Sequence, residues 1–205
     1  MFRTAFAPLL LLLALCLVSF TTPGPAGPAP RPIKWTIQKT STLRVAGKSN
    51  VNEFTCDLTG YYQQDTLCVA DNATGRPVRL SGSLEVDVFR FDCHSRLITG
   101  DLRKTLKAEE HPRLKIRFLT LEQLPVAGLA AFNTKGLVEV ELAGVRKTFE
   151  IRYDFQKSGP ATFQLNGART FSFSDFKLTP PRKLGGVIRI EDQFDVDFQL
   201  ILKPC

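Results

Sequence analysis

From Leu80 to Leu202 the chain alternates apolar and polar side chains with a period of two, and few architectures can use that pattern. Leu80, Gly82, Leu84, Val86 and Val88 share one parity, opposite Ser81, Ser83, Glu85 and Asp87. Leu114, Ile116 and Phe118 alternate with Lys115 and Arg117, and Val138, Val140 and Leu142 with Glu139 and Glu141. Val145, Lys147, Phe149, Ile151, Tyr153 and Phe155 form the next set, then Phe163, Leu165, Gly167, Phe171 and Phe173, with Arg169 as the exception. The last set is the longest: Ile188, Ile190, Phe194, Val196, Phe198, Leu200 and Leu202. Strands of this kind have one apolar and one wet face and pair antiparallel. The tight link Ala143-Gly144 predicts a hairpin over 137–155. Only Ser95 to Glu110 breaks the period. Its Leu97, Ile98, Leu102 and Leu106 predict a short amphipathic helix near 98–109, stopped by Pro112.

About eight such strands make either a closed barrel or a two-sheet sandwich, and both turn the apolar faces inward together. The interior is then rich in phenylalanine, since the chain has 16 Phe against one Trp and three Tyr. Phenylalanine has no polar handle to satisfy. Such rings either fill a core or line a dry hollow suited to a hydrocarbon chain.

The N-terminus has a different composition. Arg3 precedes the apolar run Leu9–Val18, and Pro, Gly and Ala crowd the stretch from Thr21 to Pro32. This reads as a signal peptide over 1–20 and a linker over 21–33, with the folded domain at 34–205. The apolar run is too short for a bilayer core, which needs about 20 residues. Export to the periplasm or the extracellular space follows. The alternative is a lipid anchor at Cys16, although Leu15 is bulky for such a site. Cys56, Cys68, Cys93 and Cys205 remain after the leader, and an oxidising compartment favours disulfides among them. Three connectivities are open.

Chemistry is sparse. No G-x-S-x-G, phosphate-binding loop, dinucleotide fingerprint or C-x-x-C occurs, and the histidines are His94 and His111. Glu109-Glu110 and Glu191-Asp192 are adjacent in sequence and do not face each other as acid–base pairs. Catalytic residues, metal ligands and cofactors are therefore expected to be absent. The net charge of +7 is mild and disperses along strands, which excludes a nucleic-acid groove. Arg103, Lys104, Lys107, Arg113, Lys115 and Arg117 gather near the helix, as a solvated face or as a basic rim weakly attracted to anionic membranes. Asn72-Ala73-Thr74 fits a glycosylation sequon.

Several stretches, in order, resemble the YceI-like family. They are GKSNVNEFTC at 47–56, FDCHSR at 91–96, LKAEEHPRLKIRF at 106–118 and VELAGVRK at 140–147, with Trp35 and Ile37 opening the first strand. The resemblance spans about residues 34–203, with Ala143 before the hairpin glycine as one departure. It implies an all-β, antiparallel, lipocalin-like barrel of about eight strands with one short amphipathic helix, exported, and binding a polyisoprenoid or related lipid. It also implies a Cys56–Cys93 disulfide, leaving Cys68 and Cys205 either bridged or free. Ser49, Asn50 and Asn52 become rim residues that satisfy backbone groups where the wall bends.

Candidate ligand-binding wall residues are then Leu114, Ile116, Phe118, Phe149, Ile151, Phe171, Phe173, Phe194, Val196 and Phe198. Which of these line a hollow and which pack on the helix is left open. The rival readings are a filled barrel that docks a partner, and a lipid-modifying enzyme using the inward charges Lys147 or Arg169. Ligand identity and oligomeric state have no sequence signal.

Overall fold

The computed structural model describes residues 33–61, 63–69, 77–124 and 130–205. The leader, the linker up to residue 32, Cys16 and the Asn72 sequon lie outside the described residues. The strands, in chain order, are β1 (Lys34–Ile37), β2 (Thr42–Ser49), β3 (Glu53–Leu58), β4 (Thr66–Val69), β5 (Val78–Ser81), β6 (Ser83–Asp87) and β7 (Phe91–Asp92). Helix α1 (Arg96–Thr105) follows, then β8 (Arg113–Phe118), β9 (Thr120–Leu121), β10 (Ala131–Leu142), β11 (Val145–Gly159), β12 (Thr162–Ser172), β13 (Arg182–Lys183) and β14 (Ile188–Pro204). Single helical turns lie at Val88–Arg90, Phe173–Phe176 and Leu184–Gly186.

Every strand pair is antiparallel, and the sheet runs back on itself. The ring passes from β1 through β4, β5, β9, β10, β11, β12 and β14 to β1 again. The step from β9 to β10 is made by the Leu119 amide donating to Leu137 O at 3.0 Å and the Glu122 amide to Lys135 O at 2.7 Å. Gly136 permits that approach, because a Cβ there would lie 2.0 Å from the Thr120 carbonyl oxygen. The fourteen segments thus build a barrel eight segments around, which the resemblance implies and which is one of the two architectures the alternation allows.

At the other end the ring opens. Strand β14 is long enough to pair with β1 over Leu202–Pro204 and with β2 over Ile190–Gln199. From β2 the sheet continues to β3 and β7, while β6 pairs only with β8. The gap between β3 and β6 is bridged by single contacts, the Thr59 amide to Arg90 O at 2.9 Å and the Glu85 amide to the Asp65 carboxylate at 3.3 Å.

The predicted hairpin forms with a longer span, from Ala131↔Gln156 to Leu142↔Val145 around Ala143-Gly144. The helix starts two residues earlier than predicted and ends sooner. Ser95 is extended and starts it, and the left-handed Lys107 (φ 52°) turns the chain away soon after its end. Leu102 and Leu106 pack inward, but Leu97, assigned to the apolar face from the sequence, is 81% exposed.

Candidate functional site

The closed end of the barrel is filled. Trp35, Phe132 and Phe163 all pack around Phe155, with ring centroids 5.2–6.4 Å away. Beyond this plug the interior is hollow. A deep cavity of about 70 Å³ lies against Ile37, Tyr153 and Leu200, and an upper cavity of about 90 Å³ lies against Leu102, Leu114 and Phe194. The two share Leu43, Ile116, Val140, Phe171 and Val196 as lining, so they adjoin end to end. Each exceeds the roughly 10–15 Å³ that one water requires, yet the walls are almost all carbon, and such cavities stay dry.

A third space of about 410 Å³ opens at the surface between α1, the β2–β3 hairpin and residues 181–190. It shares Leu102 and Phe173 with the upper cavity. Strand β14 records the sequence of spaces. Its inward residues line the opening at Ile188 and Ile190, the upper cavity at Phe194 and Val196, and the deep cavity at Val196, Phe198 and Leu200. From Ile188 to Leu200 there are twelve residue steps, and at about 3.3 Å each they make the path on the order of 40 Å long.

Polar contacts fix the mouth. The Ser49 hydroxyl accepts the Asn52 amide at 3.0 Å, which closes the β2–β3 turn. Asn50 donates to Val187 O at 2.9 Å and accepts the Arg189 amide at 2.8 Å, tying that turn to the start of β14. Lys183 Nζ lies 2.5 Å from Asp101 Oδ1, linking β13 to α1 at the edge of the opening.

Inside, polar atoms are few. Pairing between β11 and β12 ends at Arg152↔Ala168, so the two strands part above that level. Arg169 occupies the split. Its Nη1 donates to Glu150 O at 2.7 Å, and its guanidinium carbon lies 5.0 Å from the Phe149 ring and 5.6 Å from the Phe171 ring. Its Nε is buried without a hydrogen-bond partner among the described residues. Below it, the Tyr153 side chain lines the deep cavity, and its hydroxyl has no hydrogen-bond partner among the described residues. Burial pushes the Tyr153 phenol well up, so it stays a neutral donor. The second inward charge expected from the sequence, Lys147, points out instead. It pairs with Asp175 in the turn that covers the split, and that hydrogen bond holds the Asp175 carboxyl below the usual carboxylate range.

The fold is shared with solved structures. A polyisoprenoid-binding domain from Saccharophagus degradans superposes with a TM-score of 0.61 at 14% identity, covering 83% of this chain and 98% of its own. Burkholderia cenocepacia BcnA gives 0.57 at 17% identity, covering 78% and 95%. A mutant of the Campylobacter jejuni YceI protein gives 0.51 at 12% identity, covering 70% and 83%. The fold is that of the YceI-like barrels. No protein-family model and no curated protein matches the sequence.

Within the YceI-like fold, nine of the ten wall residues expected from the sequence border the two cavities. Phe149 does not. It is buried behind the wall, edge-on to Phe171 at 4.8 Å and against Phe176 at 5.8 Å. Leu43, Val45, Leu84 and Val140 line the cavities and were left out of that set. The alternation turns Leu84 and Val140 inward, but nothing local distinguishes a residue beside a void from one packed in a core. The basic cluster near the helix does not form a mouth. Lys115 and Arg117 pair across the outer face with Glu85 and Glu139, and Arg103 donates to Phe89 O.

Cys56 and Cys93 are joined, as the resemblance implies. Cys68 and Cys205 are free. Strand β1 lies between them, with Lys34 in register with Cys68 and accepting the Cys205 amide. Two strand spacings put their α-carbons roughly 9–10 Å apart, beyond the ~7 Å limit for a bridge. No cluster of three or more His, Cys, Asp or Glu suited to a metal occurs among the described residues.

Proposed function

We propose that this protein is an exported lipid-binding barrel that holds a long apolar chain, polyisoprenoid or fatty-acid-like, along the path from the mouth to the aromatic plug. The observation that carries this reading is the pair of adjoining carbon-walled cavities, the upper of which shares Leu102 and Phe173 with a surface opening. Each methylene moved from water into such a space is worth about 0.8 kcal/mol. Some ten of them supply about 8 kcal/mol before the cost of ordering the chain. The fold shared with a domain described as polyisoprenoid-binding supports the same class of ligand. The Cys56–Cys93 disulfide and the apolar N-terminal run support residence in an oxidising, exported compartment.

The direct test is mass spectrometry of organic extracts from protein purified without detergent. A co-purifying chain lipid at reproducible stoichiometry is expected. Ile116 lines both cavities, so Ile116→Trp should block the junction and lower the affinity for a fluorescent long-chain probe at least tenfold. Unchanged probe binding in a folded Ile116→Trp variant would place the chain elsewhere.

A further inference from the structure

Large apolar side chains exposed among the described residues are not scattered evenly. The four most exposed are Leu97 (81%), Leu184 (74%), Val187 (67%) and Val51 (61%). All four belong to the rim of the opening. Leu97 lies on α1 and Leu184 in the turn after β13, and both line the opening itself. Val51 is at the tip of the β2–β3 hairpin, which Asn50 binds to Val187 and Arg189. Three segments distant in sequence therefore present one apolar fringe.

The fringe is accompanied by Arg96, beside Leu97 at the start of α1, and by Arg182 and Arg189, none of which has an ion pair among the described residues. In the β13–β14 pair, Arg182 stands directly opposite Arg189, and Lys183 opposite Ile188. Like charges facing across an antiparallel pair are unfavourable. Arg189 turns its Nε to Gly186 O at 3.0 Å, and neither Arg182 nor Arg96 has an ion pair among the described residues. Lys183 is engaged with Asp101. A surface that offers apolar depth inside a layer of negative charge would complement this arrangement.

We propose that this rim docks on an anionic lipid bilayer, with Val51, Leu97, Leu184 and Val187 entering the headgroup boundary and Arg96, Arg182 and Arg189 meeting lipid phosphates. The inference rests on the chain-binding reading, because a chain that is insoluble in water has to pass between bilayer and barrel, and the docked rim encloses that passage. Among the described residues no helix is long and apolar enough to cross a membrane. Apolar burial and charge attraction act together in such contacts, and each basic residue near the surface contributes roughly a fivefold gain in partitioning.

The test uses the whole processed protein and flotation with two vesicle types, phosphatidylglycerol/phosphatidylethanolamine and pure phosphatidylcholine. The wild type should float with the anionic vesicles and much less with the neutral ones, and high salt should reduce the bound fraction. Val51→Ser/Val187→Ser and Arg182→Glu avoid the lining of the opening and should each lower partitioning about tenfold. Binding of the fluorescent chain probe in vesicle-free solution should stay unchanged. If the wild type holds the probe but ignores anionic vesicles, or if both variants partition like the wild type, the docking proposal is overturned while the chain-binding reading stands. If vesicles bind in the expected way and no probe is held, the docking stands and the chain-binding reading falls. A protein partner whose capture is lost in these variants, with vesicles ignored by the wild type, also overturns it.

Discussion

Asn50 and Arg189 are 139 residues apart, yet the Asn50 side-chain oxygen accepts the Arg189 amide at 2.8 Å. Its amide nitrogen donates to Val187 O, so one side chain satisfies two backbone groups at the start of β14. Both groups lie beyond Ile190↔Ser49, the terminal pair between β14 and β2, where β2 has ended. Asn50→Ala should lower stability by about 1–2 kcal/mol. Amide exchange at 187–190 should accelerate, while that of the closed end stays unchanged. Equal protection at 187–190 in both proteins would show that the rim is held by other contacts.

The Cys56–Cys93 bridge closes a loop with a sequence separation of 37. Chain entropy alone predicts about 3–4 kcal/mol for a loop of that size. Cys56→Ser/Cys93→Ser should lose most of this in urea unfolding. A non-reducing peptide map of the native protein should show one bridged peptide pair, with Cys68 and Cys205 alkylated.

The buried Tyr153 side chain lines a dry cavity, and its hydroxyl has no hydrogen-bond partner among the described residues. Removing an unsatisfied buried polar group is favourable, so Tyr153→Phe should raise the stability of the empty protein by about 1 kcal/mol. Titration of paired probes should then reveal what the hydroxyl reads. A chain bearing a carbonyl or hydroxyl at that depth should bind about fivefold to tenfold more weakly to the variant, and a plain hydrocarbon chain equally well.

The Lys147–Asp175 pair fastens the turn over the split between β11 and β12. Its hydrogen bond depresses the Asp175 pKa below the unfolded value of about 3.8. A carboxylate with a lowered folded pKa contributes stability that is fully present above its unfolded pKa and is lost as pH falls through the folded one. The urea midpoint difference between wild type and Asp175→Asn should therefore be constant from about pH 5 to 8 and shrink below about pH 4. A difference that persisted unchanged to pH 2 would assign the effect to packing.

Lys183 and Asp101 join β13 to α1 at the opening. Asp101→Asn keeps the shape and removes the charge. It should speed release of a bound chain probe several-fold in stopped-flow displacement, with little effect on stability, since exposed ion pairs contribute about 0–1 kcal/mol. Identical release rates would mean that the pair does not restrain the mouth.

The strands, their inward parity, the Ala143-Gly144 hairpin and an approximate helix were legible in the sequence because each depends on neighbours a few residues away. The same local logic misplaced Leu97, which has helical spacing but faces solvent, and Phe149, whose parity is inward although the wall parts beside it. Closure of the barrel was decided elsewhere, by β14 pairing with β1 at one end and β2 at the other, and by the Thr120 carbonyl pressing on Gly136. Whether rings meet or leave a void depends on where walls distant in sequence come to lie. Phe155 is closed in by three aromatic neighbours at the plug, while Phe171, also beside three rings, still lines both cavities together with Val196. The sequence determined which side chains point inward, because a strand's pleat alternates its faces regardless of context. Only the tertiary structure decided which of them touch one another, because that distance also depends on how strands far apart in the chain, such as β1 and β14, come to pair.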